Sequence, residues 1–151
     1  MNYRRNLGCL AFCIFFVTQV KSQYTSELNQ SPNLKPNLFK QITRKSQCNF
    51  AALGRLFSET GVVGEAISQG FFLQGEIIEN IQQNPNVQSI RIKLTHFPGA
   101  IFTLSRIKLE DGSIRYNGHI ISSAYNDALV LSLENGKYYL TKTELRLLIT
   151  E

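Results

Sequence analysis

The stretch FLQGEIIENIQQ, Phe72–Gln83, decides how much helix the domain holds. Leu73, Ile77 and Ile81 recur at intervals of four, which favours an amphipathic helix ended by Asn84-Pro85. Gly70, Gly75 and the pair Phe71-Phe72 would also suit a strand. The spacing tips the reading to a helix.

Upstream, SQCNFAALGRLF (Ser46–Phe57) gives a first helix. Ser46 is a fitting cap for a helix from Gln47 to about Ser58, and Phe50, Leu53 and Phe57 form its apolar stripe. Gly61 is a stop just past its end. Gly54 inside it costs about 1 kcal/mol against Ala, which calls for a close neighbour packed on that turn. Downstream the apolar period falls to two. SIRIKL, AIFTLS, RYNGHIIS, DALVLSL and KYYLT read as strands. Asp111-Gly112 and Asn135-Gly136 supply tight turns. The apolar parity shifts after Leu104 to Ile107 and Leu109, predicting a bulge near Ser105. Thr141 and Glu144 have capping-box spacing and open a short last helix through Leu148. The expected fold class is α+β, with helices covering one side of an antiparallel sheet.

The chain has 151 residues, enough for one domain. Residues 1–22 read as a signal peptide: Tyr3-Arg4-Arg5 is basic, Leu7–Val17 is an uncharged apolar run, and Val20-Lys21-Ser22 precedes the cut. An uncleaved N-terminal anchor is the second reading, and it is the chain's one expected route to a membrane. Residues 23–37 form a polar arm with Pro32 and Pro36, either mobile or strapped to the domain, and residues 38–151 form the domain. The implied location is secreted or periplasmic. The leader holds Arg4, Arg5 and Lys21, so 13 of the 16 basic residues remain against all 11 acids, a net +2. So small a charge is a poor footprint for nucleic acid, and none is expected as partner.

Cys9 and Cys13 leave with the leader, so Cys48 becomes the one mature thiol and has no partner for an internal disulfide. A cysteine nucleophile needs a stabilised thiolate, a base within reach and donors for the oxyanion. Cys48 falls in the first turn of its helix, where backbone N–H groups favour a negative sulfur, and Arg44 and Lys45 act in the same direction. His119, on the strand Tyr116–Ile121, is the candidate base; His96 falls in a turn. Glu134 or Asn135 would orient the imidazole, with Asp127 at the other end of the same strand. Gln41 or Gln47 would help hold the oxyanion. Two histidines and one thiol offer no metal-ligand spacing, and no glycine-rich phosphate loop is present, so no cofactor is expected. The plain alternatives are a buried packing thiol at Cys48, a satisfied strand histidine at His119 and a solvated Glu134. Tyr138-Tyr139 reads as strand packing, with a substrate groove as the alternative.

Cys48-Asn49-Phe50-Ala51-Ala52-Leu53 resembles the nucleophile helix of papain-like cysteine peptidases, closest to the double-glycine leader peptidases that process bacteriocins in bacteria. SIRIKL, FPGAIFTL, GHIIS and LENGKYYLTKTELRLL follow in that family's order, so the likeness covers the domain past residue 40. Gln47-Cys48, Pro98-Gly99-Ala100-Ile101 and Gly118-His119-Ile120 are similar to CHAP amidases, which cut peptidoglycan. Both resemblances imply a papain-like fold, with an N-terminal nucleophile helix packed on an antiparallel sheet. Both imply Cys48 as nucleophile and His119 as base, acting on a peptide or a peptidoglycan-like substrate. Three departures stand out. Asn49 replaces the usual glycine, Glu134-Asn135 replaces Asp-Pro, and Gln41 lies seven rather than six positions before the cysteine. The expected function is an exported thiol hydrolase cleaving a peptide or amide bond. The alternative is a non-catalytic exported module on the same fold that binds or inhibits a protein partner.

Overall fold

The computed structural model describes residues 35–149. The leader, 1–22, and the arm through residue 34 lie outside the described residues. The elements in chain order are β1 (Lys45–Gln47), α1 (Phe50–Arg55), β2 (Val62–Ser68), β3 (Phe71–Asn84), β4 (Val87–Leu94), β5 (Ile101–Lys108), β6 (Ile114–Ile121), β7 (Asp127–Glu134), β8 (Lys137–Glu144) and α2 (Leu145–Ile149). All strands join one antiparallel sheet in the order β1-β8-β7-β6-β5-β4-β3-β2. It curls into a half-barrel. The α+β, papain-like layout is therefore overturned: the protein is mostly β, and its two helices have six and five residues.

The decisive stretch is a strand. Leu73 and Ile77 are four apart, and four is a multiple of the strand period as well as about one helical turn. The spacing that favoured a helix is degenerate between the two. In β3, Phe71, Leu73 and Gly75 turn inward with Ile77 beside them, as strict alternation requires. A bulge between Ile77 and Glu79 then shifts the parity, leaving Ile78 and Ile81 exposed. Gly75 is required where it stands: a Cβ would lie 2.4 Å from the Lys93 carbonyl oxygen.

Both helix ends differ from expectation. Ser46 belongs to β1 and faces inward. The cap of α1 is Asn49, whose side chain accepts from the Ala51 and Ala52 N–H groups at 3.0 and 3.2 Å. The helix therefore starts at Phe50, after Cys48 rather than before it. The close neighbour at Gly54 is Tyr116, whose hydroxyl would stand 3.0 Å from an added Cβ. Thr141 and Glu144 are residues of β8, and α2 begins only at Leu145. No bulge occurs near Ser105, because β5 keeps one register with β4 and with β6. The parity change reflects Arg106 turning inward and Ile107 outward. The expected turns hold, with positive φ at Gly112, Asn135 and Gly136.

The core fills the concave face. Ile90, Ile92, Phe102, Leu104, Ile120, Leu129 and Leu140 lie fully buried there, under Leu53 and Leu56 from α1 and the turn after it. Residues 35–42 cross the sheet end as a strap. Asp127 accepts from the Leu38 and Phe39 N–H groups at 2.6 and 2.9 Å, and Pro36 accepts from Asn126 at 3.0 Å. Phe39 is fully buried against Phe97.

Candidate functional site

The two edge strands of the half-barrel meet at one place. Cys48 forms a bridge with Ser68 at the end of β2, and its N–H donates to the Tyr138 carbonyl of β8 at 2.8 Å. Asn49 N–H donates to Ile67 O at 2.8 Å, and Ser46 Oγ donates to Gln69 O at 2.8 Å. At this level a single strand's width of chain spans from β8 to β2. Beyond Asn49 the chain turns inward into α1, whose Ala52 and Leu53 are fully buried. The wall position that β1 occupied is left open, and a cleft of about 780 Å³ lies there. Gln47, Cys48, Asn49 and Phe50 form its end, Ala66, Ser68 and Gln69 one side, and Gly136, Lys137 and Tyr138 the other.

Two features mark this cleft. Ser68 is 7% exposed, and its Oγ is buried with no hydrogen-bond partner among the described residues. A buried hydroxyl left unpaired costs about 1–3 kcal/mol, so its retention calls for an explanation. The second feature is an aromatic end. The half-exposed Phe50 ring lies 5.1 Å from Tyr116 and 5.9 Å from Tyr138, and Tyr138 Oη accepts from Tyr116 N–H at 2.8 Å. The lining carries one formal charge, Lys137, and no carboxylate.

Cys48 faces inward, 6% exposed, with Sγ 4.0 Å from the Ser46 carbonyl oxygen. Burial pushes its thiol up to about 11, against a smaller opposing effect of a backbone hydrogen bond at Leu140. It is therefore protonated at neutral pH. His119 faces the other way. On β6 the inward positions are Tyr116, Gly118 and Ile120, which leaves His119 on the convex face between Thr103 of β5 and Val130 of β7. Partial burial lowers its pKa. Two strands, β8 and β7, separate β1 from β6. The structure thus puts Cys48 and His119 on opposite faces of the sheet, and it does not bring them together.

The remaining candidates scatter. Glu134 is exposed at the end of β7, paired with Lys45, which lowers its pKa, and it makes no contact with His119. Asn135 is the left-handed residue of the β7–β8 turn, φ 49°. Gln41 lies exposed in a separate hollow with Lys40, His96 and Phe97. Gln47 alone shares the cleft with Cys48. Asp127 is engaged by the strap. Among the described residues no group of three His, Cys, Asp or Glu side chains is placed to hold a metal, and no helix is long and apolar enough to cross a membrane.

Sequence reasoning missed Ser68, Gln69 and the Asn49 cap. The Ser-Gln-Gly run at 68–70 signals a turn, but nothing in it signals an unpaired hydroxyl. Comparison with known proteins gives no match to a family model, a curated protein or a solved structure.

Proposed function

We propose that the protein is a non-catalytic binding module that takes its ligand in the seam cleft. The observation that carries this reading is Ser68 Oγ, buried and unpartnered among the described residues, in the lining of an open cleft with amides, aromatic rings, one ammonium and a protonated thiol but no base. Such groups orient and hold a ligand; they do not activate a nucleophile. A hydrolase at Cys48 would need a base, and the candidate base lies on the far face of the sheet behind the core. The leader reading adds that the module works in a secreted or periplasmic setting, which N-terminal sequencing of the exported protein tests.

Titrating short peptides and saccharides into isotope-labelled protein tests the cleft. Amide shifts should gather at Gln47–Phe50, Ser68, Gln69 and Lys137–Tyr138. If no ligand moves these signals, the reading fails. Iodoacetamide tests the absence of catalysis. Cys48 should react more slowly than free cysteine at pH 7, with a rate that climbs above pH 9. Rapid labelling, level across neutral pH, would restore the thiol hydrolase.

A further inference from the structure

We infer that the cleft takes an extended peptide carrying an acidic group, bound as an added β-strand that continues the wall where β1 stops. This rests on the reading of the cleft as the binding site and names its ligand.

Width comes first. Cys48 reaches Tyr138 on one side and Ser68 on the other, so β8 and β2 stand one strand apart at that level. β1 itself is only three residues long, whereas β2 has seven and β8 eight. Past Asn49 no strand of the described residues fills the position.

Among the described residues, the outer backbone edge of β2 is also unpaired there. Gly61 O accepts from Ile77 N–H at 2.8 Å, so the carbonyl of Gly61 points to β3. Gln74 O accepts from Thr95 N–H at 2.9 Å, so Gln74 points its groups to β4 and away from its partner Gly64. Antiparallel ladders alternate, so Val62, Gly64 and Ala66 present N–H and C=O to the open side. These are the groups that strand addition uses. The edge carries two of the usual protections against pairing, the bulge between Ala66 and Ser68 and the charged Glu65, which Arg55 of α1 neutralises, but its outward positions are bare. Val62, Gly64 and Ala66 include no lysine and no proline, and Val62 is 74% exposed. The run from Val62 to Ala66 accommodates about five residues, or roughly 17 Å of extended chain.

Side-chain chemistry fixes the peptide's character. The lining holds one cation, Lys137, and no carboxylate, and the neighbouring Lys45 and Arg55 are matched by Glu134 and Glu65 outside it. One acidic side chain or a C-terminal carboxylate complements it. Ser68 Oγ, Gln47 and Gln69 offer hydrogen bonds, and Phe50 with Tyr138 offers an apolar rest.

The probe is an acetylated, amidated hexapeptide of alternating Thr and Val with one central Asp, read by amide NMR and hydrogen exchange on the full chain. Saturable binding should slow exchange at Val62, Gly64 and Ala66 at least tenfold and shift Gln69 and Lys137. N-methylating alternate peptide amides should weaken binding at least tenfold in one of the two phases. Replacing the Asp by Lys, or making Lys137→Gln, should weaken it about fivefold. If a ligand shifts the cleft but leaves those three exchange rates unchanged, or if N-methylation in both phases is harmless, strand addition fails while the cleft survives as a binding site. If no peptide or saccharide shifts the cleft, both readings fail. If the three amides are already protected before peptide is added, and more so at higher protein concentration, the occupant is a second copy and the inference is overturned.

Discussion

The wall from β4 to β6 and the seam between β1 and β2 are parts of one sheet built to different standards. Across the wall, Val87–Lys93 pairs with β5 residue for residue, and Ile101–Lys108 does the same with β6. Five of its inward positions, Ile90, Ile92, Phe102, Leu104 and Ile120, are fully buried. At the seam, one bridge and a few hydrogen bonds join two edges around a short strand, a thiol and an unpaired hydroxyl. The wall carries stability through area removed from water. The seam gives up ladder bonds and tolerates a polar orphan, and the same residues line the cleft. The packed area and the open cleft thus fall on different parts of the sheet, and on the proposed reading so do stability and recognition.

That division can be broken by measurement. Phe102→Ala in the wall should cost about 3–5 kcal/mol in chemical unfolding, because it empties a fully enclosed volume. A loss below about 1.5 kcal/mol would mean that the wall is not the main store of stability. Asn49→Ala, beside the seam, should cost only about 1 kcal/mol, the worth of a helix cap with two N–H groups on its side chain. A cost as large as that of Phe102→Ala would erase the contrast.

The next effect depends on pH. The folded Cys48 thiol holds its proton to about pH 11, whereas an unfolded thiol ionises near 9.0. Folding therefore favours the protonated form. The stability linked to this thiol is complete below pH 9 and is lost as pH rises toward 11. Unfolding midpoints at pH 8 and 10.5 should fall further apart in the native chain than in Cys48→Ala. Equal spacing would place the thiol in solvent. The smallest change is expected for Ser68→Ala, within about 0.5 kcal/mol of neutral or slightly stabilising, since the hydroxyl has no partner to lose. It should nonetheless reduce binding in the cleft. A clear loss of stability would show that Ser68 has a structural partner.

The strands from β4 to β8 were legible because their apolar residues recur at a period of two, and β4, β5 and β7 are followed by turns with positive φ at Gly99, Gly112 and Asn135-Gly136. β3 was not, because intervals of four satisfy both periods, and only its pairing with β2 and β4 settles the matter. The first helix was overextended because Ser46 and Asn49 are both good caps and the sequence does not rank them. Pairing of Ser46 with Leu140, 94 residues away, removes it from the helix. The proposed dyad failed for a related reason. Order along the chain says nothing about which face of a sheet a residue meets, and a one-position change of parity separates His119 from the core side where Cys48 lies. Lys45 and Glu134 are both plain surface charges in the sequence, and only the pairing of β1 on β8, beside β7, brings their long side chains within reach.

The shortest strand also sets the timetable of folding. β1 finds its register only on Tyr139–Thr141, and Leu38 and Phe39 find theirs only on Asp127. The hairpins between β2 and β8, by contrast, join neighbours in sequence. Closing a loop of some ninety residues costs more chain entropy than closing a hairpin, and such contacts form late. The meander can therefore assemble before β1 arrives. In that interval the edge of β8 that receives β1 and the edge of β2 are both bare, and the concave core still lacks the helix that follows β1. The chain is then most open to pairing with a neighbour, and refolding yield should fall with protein concentration more steeply than the stability of the finished fold would indicate.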